Sequence, residues 1–129
     1  MAFQFSQRSL DRMEGIDQKL KDIAHKAIEI SRIDFGIPEH GGKRTSEEQQ
    51  QLYKDGKSKV DGYHKWSRHQ YGEALDVYAY VDGKASWETE HLALVATAML
   101  QAASELGYAL EWGGLWKSFQ DMPHFQLKS

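Results

Sequence analysis

Two histidines and an aspartate hold most of the chemistry this chain can offer. His69, Asp76 and His124 supply two imidazoles and one carboxylate, the three-ligand set that binds zinc and leaves a fourth position open for water. Such a set points to hydrolysis, because zinc brings the pKa of water down to about 7 and makes a nucleophile available at neutral pH. Asp121 precedes His124 closely in Asp121-Met122-Pro123-His124. It is near enough in the chain to lean over a metal without ligating it, and is the candidate general base. Glu111 is the other carboxylate available, either as base or as a brace for a histidine. Arg44, with a permanent charge and a planar set of donors, suits the negative charge that develops on an attacked carbonyl.

Each of these residues also has an ordinary reading. A single histidine is more often a surface or packed residue than a ligand, and His25, His40, His64 and His91 are read that way. Asp76 lies in an apolar stretch, where a carboxylate is costly unless paired with a cation or bound to metal. Gln120-Asp121-Met122-Pro123 also looks like a turn, and Arg44 like a surface residue beside a helix cap. Ser67 can hydrogen-bond a substrate or simply shape its loop. Trp112, Trp116 and Phe119 can wall a cleft or fill the core.

The elements that must position these side chains are legible from periodicity. Leu10, Met13, Ile16, Leu20, Ile23, Ala27 and Ile28 recur at helical steps, which predicts an amphipathic helix with Ser9 as N-cap. A short apolar segment follows at residues 33–37, then Gly41-Gly42 loosens the backbone. Thr45 and Glu48 form a capping-box pattern for a second helix ending near Gly56. Residues 57–68 have no period and read as a long loop delivering His69. Residues 74–81 read as one strand, with Asp76 on the face of Ala74 and Tyr78, reversing at Asp82-Gly83. Ser86 is the expected cap of a third helix, with Leu92, Val95, Ala96, Met99, Ala103 and Leu106 as its buried stripe and Gly107 as its end. Residues 108–112 read as a strand, Gly113-Gly114 as a turn, and residues 124–127 as a last strand entered through Pro123, a residue suited to an edge or first-strand position. Alternation puts His124 and Gln126 on one face and Phe125 and Leu127 on the other. The expected fold is α+β: a small, mostly antiparallel sheet with helices on one side and Asp76 and His124 on its open face.

Composition narrows the function classes. With 129 residues the chain fits one domain, residues 1–129, with no room for a separate binding module. Its apolar content of 40% and charged content of 27% are those of a folded globular protein. A net charge of −3 speaks against nucleic acid as the partner. The absence of cysteine excludes disulfides, thiolate zinc ligands and a cysteine nucleophile. The N-terminus carries neither a signal peptide nor a membrane span, so the expected location is the cytoplasm. Nothing in the chain calls for more than a monomer.

Ser67-x-His69-x-x-Gly72-x-Ala74-x-Asp76, followed by Asp121-x-x-His124, resembles the signature of the zinc D,D-peptidase/LAS superfamily of metallopeptidases, the M15-type peptidases. The upstream Arg44-Thr45-x-x-Glu48-Gln49 segment resembles, within it, the phage L-alanyl-D-glutamate endopeptidases, endolysins of the T5 type. The resemblance runs from Gly41 to Leu127. It implies a hedgehog/D,D-peptidase-like fold, Zn2+ on His69, Asp76 and His124, catalytic roles for Asp121 and Arg44, and Ser67 and Gln49 at the substrate. It further implies cleavage of the peptidoglycan stem peptide between L-alanine and D-glutamate during host lysis, with a separate holin-type pore giving a cytoplasmic enzyme access to the wall. Two other readings use the same motif: a D-alanyl-D-alanine dipeptidase or carboxypeptidase, and a noncatalytic wall-binding domain with structural zinc.

Overall fold

The computed structural model describes residues 2–128. Its first helical stretch is two helices, α1 (Gln7–Arg12) and α2 (Gln18–Ile30), where periodicity predicted one. Gly15 breaks the run with φ of +86°, a conformation glycine adopts freely, and the Asp17 N–H turns to the Gly72 carbonyl at 2.8 Å. Each helix has its own cap. Ser6 caps α1, accepting from the Ser9 N–H, and Asp17 caps α2, accepting from the Lys19 N–H. Ser9, the expected cap, is instead buried inside α1, where its hydroxyl accepts the Ile37 N–H at 3.0 Å.

Strand β1 (Asp34–Gly36) leads through Gly41-Gly42 to α3 (Ser46–Lys54). Both halves of the capping box form: Thr45 Oγ1 accepts from the Glu48 N–H, and Glu48 Oε1 from the Thr45 N–H. The loop after α3 has no helix or strand until residue 74.

The expected single strand over residues 74–81 is divided between two sheets. Among the described residues, β2 (Ala74–Asp76) pairs with β6 (His124–Leu127), and β3 (Tyr78–Val81) pairs with β1 and with β4 (Lys84–Ser86). The division has a cause on the partner strand. Val77 N–H bonds to the Pro123 carbonyl at 2.9 Å, but Pro123 has no N–H to return, so the ladder ends there and the chain changes partners. Tyr78 therefore belongs to a different sheet from Asp76. The fold is α+β with two three-stranded antiparallel sheets, ordered β1-β3-β4 and β2-β6-β5, where one sheet was expected. In the second, β6 is central, flanked by β2 and β5 (Leu110–Trp112).

At Asp82-Gly83 both φ angles are positive, +52° and +80°, as a two-residue hairpin reversal requires. Helix α4 (Thr89–Leu106) is capped at Glu88 with no side-chain bond. Ser86, the expected cap, ends β4 and its hydroxyl accepts the Glu88 N–H. The stripe of α4 is buried as its spacing predicted, except for Leu106 at the exposed end, and Gly107 closes the helix in the left-handed conformation. Helix α4 packs along α2 and touches both β3 and β5, tying the two sheets to one core. Leu75 and Phe125 face each other across β2 and β6 and are fully buried. Burial of side chains this size contributes roughly 1.5–3 kcal/mol each. Their immediate neighbours in the ladder, Asp76 and His124, consequently emerge on the opposite face.

Candidate metal centre

Asp76 and His124 are direct cross-strand partners, and His124 Nδ1 lies 3.0 Å from Asp76 Oδ1. His124 Nε2 is engaged by Gln126 Oε1 at 2.9 Å, two residues along the same strand face. With Nε2 held in this way, Nδ1 is the nitrogen turned towards the carboxylate. Burial alone would lower the pKa of His124, but the hydrogen bond and charge of Asp76 outweigh it and raise the value.

His69 arrives from the long loop and is fixed from behind. Its Nδ1 is 3.0 Å from the Gly42 carbonyl, and because a carbonyl can only accept, that nitrogen carries the proton. The nitrogen left facing the site is Nε2, 3.3 Å from Asp76 Oδ1. Both histidines are buried, their rings 5.1 Å apart. One potential ligand atom from each of His69, Asp76 and His124 falls within 4.8 Å of the others. The donor set is two nitrogens and one oxygen, with each remaining ring nitrogen tied to a second partner, and this fits Zn2+ with an open coordination position.

The glycine pair sets much of this geometry. The Gly41 carbonyl accepts the Asp76 N–H at 2.8 Å, while Gly42 holds His69. A Cβ on Gly42 would run into the Arg12 carbonyl, so only glycine brings this backbone close enough. Next along the chain, the Arg44 N–H bonds to the His69 carbonyl at 3.1 Å. The Arg44 side chain donates from Nε to the His40 carbonyl at 2.8 Å, from Nη1 to Gln49 Oε1 at 3.1 Å and from Nη2 to Asp76 Oδ2 at 3.3 Å. Burial lowers its pKa while Asp76 opposes the shift. Asp76 is shifted downwards as well, which for a carboxyl favours the charged form. Burial resists its ionisation, but His69 and His124 beside it prevail and hold its carboxyl well below the usual range.

Asp121 is on the rim. Its Oδ2 is 4.0 Å from His124 Nδ1, and burial together with the charge of Asp76 raises its pKa. The Asp121 N–H bonds to the Gly113 carbonyl at 3.0 Å, and the Asp121 carbonyl accepts the His124 N–H. A Cβ on Gly113 would collide with the Asp121 carbonyl, so this glycine allows the carboxylate's loop to fold against the 3-10 turn Gly113–Leu115.

The three aromatics of this region separate. Trp112 stacks on Phe125 at the core, Trp116 lies 5.3 Å from the His124 ring, and Phe119 is exposed. Lys59 sits over the Phe119 ring, so the long loop touches the loop bearing Asp121. Glu111 accepts the Trp116 indole N–H at 2.6 Å, which ties it to the ring beside His124.

Ser67 is bonded reciprocally with Gln70: its N–H donates to Gln70 Oε1, and its hydroxyl accepts the Gln70 N–H. Gln49 is fully buried; its Nε2 donates to Ser58 Oγ and the Val60 carbonyl, both at 2.8 Å. These two acceptors fix the amide so that Oε1 faces Arg44. Sequence reasoning placed Gln126 on the face of His124 without giving it a part, although a polar residue at i+2 on a ligand strand was the available signal. It read Gly41-Gly42 as a loosened segment and missed their two carbonyl tethers. The His40 backbone, which receives Arg44, had no signal at all.

The sequence model of the phage L-alanyl-D-glutamate peptidase family matches residues 1–127. The chain belongs to this family. Its relatives include phage and bacterial proteins. It is 33% identical over 129 residues to the L-alanyl-D-glutamate peptidase of Escherichia phage T5, covering 99% of this chain and 91% of that protein. It is 34% identical over 106 residues to the peptidoglycan L-alanyl-D-glutamate endopeptidase CwlK of Bacillus subtilis (strain 168), an alignment that takes in 74% of this chain and 61% of the relative. The crystal structure of the Serratia marcescens L-Ala D-Glu endopeptidase ChiX superposes with a TM-score of 0.85 at 35% identity, over 97% of this chain and 90% of that one. Among the described residues no helix is long and apolar enough to cross a membrane.

Proposed function

We propose that this protein is a zinc-dependent peptidoglycan endopeptidase that cleaves the L-alanyl-D-glutamate bond of the stem peptide during phage-induced lysis. The observation that carries the reading is the convergence of His69 Nε2, Asp76 and His124 Nδ1 on one point, with the remaining ring nitrogens occupied by Gly42 and Gln126. The names of the relatives supply the bond. Residues 1–129 act as one catalytic domain, working as a monomer from the host cytoplasm and reaching the wall through a separate pore.

His69, Asp76 and His124 hold the ion. When bound, Zn2+ supplies Lewis-acid polarisation of the scissile carbonyl and water acidified to a pKa of about 7. Asp121 Oδ2 takes the proton of the attacking water and returns it to the nitrogen as the C–N bond breaks, a task its raised pKa suits. Arg44 is aimed by three hydrogen bonds, and each Nη carries a further N–H for the substrate oxygen as negative charge develops. Gln49 reaches the substrate only through Arg44, by holding the guanidinium. Ser67 shapes the turn before His69.

The test is digestion of purified peptidoglycan by wild type and Asp121→Asn, with muropeptides read by mass spectrometry and zinc by elemental analysis. Wild type, with one equivalent of zinc, frees peptides that begin with D-glutamate. Asp121→Asn keeps its zinc and loses roughly two to four orders of magnitude in turnover. Release of D-alanine alone would replace the endopeptidase by a carboxypeptidase, and an Asp121→Asn protein as active as wild type would move the base to another carboxylate, Glu111 first.

A further inference from the structure

We propose that the exposed Trp66–Tyr71 pair and the groove beside it form a subsite for an N-acetylated sugar of the glycan strand, the part of the polymer that leads into the scissile bond. The inference rests on the peptidoglycan reading above and adds what the site grips beyond the peptide.

Trp66 and Tyr71 are 47% and 59% exposed, their rings 5.2 Å apart and tilted by 49°. They bracket His69 in the chain. Large aromatic rings left in water on a flexible loop would be unremarkable, but this segment is fastened. Gln70 between them is buried, and donates to Ser46 Oγ at 3.2 Å and the Gly62 carbonyl at 3.0 Å while exchanging bonds with Ser67. The rings are thus presented from a fixed backbone, which lowers the entropic cost of using them as a contact surface.

Beside Trp66 lies a groove of about 430 Å³ whose walls include Gln70, Ser46, Lys43, Arg44 and Glu14. One aromatic wall facing hydroxyl, amide, ammonium and carboxylate groups matches a pyranose, which has an apolar C–H face and a rim of hydroxyl and acetamido groups. Arg44 lines this groove and also touches Asp76, so one side chain borders both the groove and the candidate metal site. The short step in sequence from Trp66 to His69 suits the covalent structure of the substrate. In peptidoglycan the L-alanine nitrogen is acylated by the lactyl group of the amino sugar, so the sugar trails the scissile carbonyl by roughly two residue lengths, about 7 Å. The three-residue step from Trp66 to His69 spans at most about 11 Å.

The experiment compares kcat/KM for two substrates with the same stem peptide, one free and one carrying the disaccharide, using zinc-loaded wild type, Trp66→Ala and Trp66→Phe. Wild type favours the sugar-bearing substrate, and Trp66→Ala reduces that preference about five- to tenfold, while Trp66→Phe retains part of it. Equal losses on both substrates, or no loss on either, would overturn the subsite. A second measurement does not need turnover: titration of the wild-type protein with the disaccharide alone, followed by NMR, shifts the Trp66 indole resonance. An indole that stays put under saturating disaccharide would sink the proposal even if the peptide is cut. A wild type that cuts neither substrate, yet shows the shift, would remove the endopeptidase reading and leave the sugar site standing.

Discussion

The two halves of the candidate metal centre reach the same point by different means. Asp76 and His124 ride on paired strands, where alternation throws them to one face and a side chain, Gln126, fixes the ring. His69 and Arg44 hang on irregular backbone, held in place by main-chain carbonyls of Gly42, His40 and His69 itself. The His124 ring is therefore tuned by side chains and the His69 ring by backbone approach. A substitution should hurt each half in a different currency: ion affinity in the first, folding stability in the second.

Asp76 joins the halves, since its two oxygens meet both histidines and Arg44, and its removal gives the largest effect. Asp76→Ala should lose stoichiometric zinc and all measurable cleavage, checked by elemental analysis and muropeptide release. Retention of one equivalent would show that the halves can hold the ion without their common carboxylate. Gly42→Ala comes next. Its new methyl meets the Arg12 carbonyl, and overpacking of this kind costs about 1–3 kcal/mol, to be read from the urea midpoint together with a fall in zinc affinity as the His69 tether shifts. Gln126→Leu is the mildest. It should weaken zinc roughly 10- to 100-fold in a chelator competition, while the urea midpoint changes little. If Gln126→Leu unfolds the protein as readily as Gly42→Ala, the contrast between the halves is wrong.

The same contrast explains what the sequence disclosed. Strand and helix periods are local, so the stripe of α4 with its Gly107 stop, the Thr45–Glu48 box and the shared face of His124 and Gln126 could all be read directly. The division at Val77 could not, because nothing in residues 74–81 changes there; the cause is Pro123 on the partner strand. The break at Gly15 did carry local signals, the glycine and the Asp17 cap, but the amphipathic period continues across it and the Gly72 carbonyl that captures Asp17 is remote in sequence. Gln49 was legible as part of a motif, but its burial was not, since a polar residue on a helix gives no apolar signal. Gly41-Gly42 illustrates the limit most clearly. Glycine reads as freedom, yet here the missing side chains permit a close approach that removes it.

The hairpin joining β3 and β4 belongs to the sheet that, among the described residues, carries none of the three candidate ligands, and the space around Gly83 is open. A tip of that kind is where foreign sequence is best tolerated. A cell-envelope adhesion module spliced between Asp82 and Gly83 would leave the register of the sheet carrying Asp76 and His124 untouched, which makes this reversal the natural port for giving the proposed hydrolase a new target.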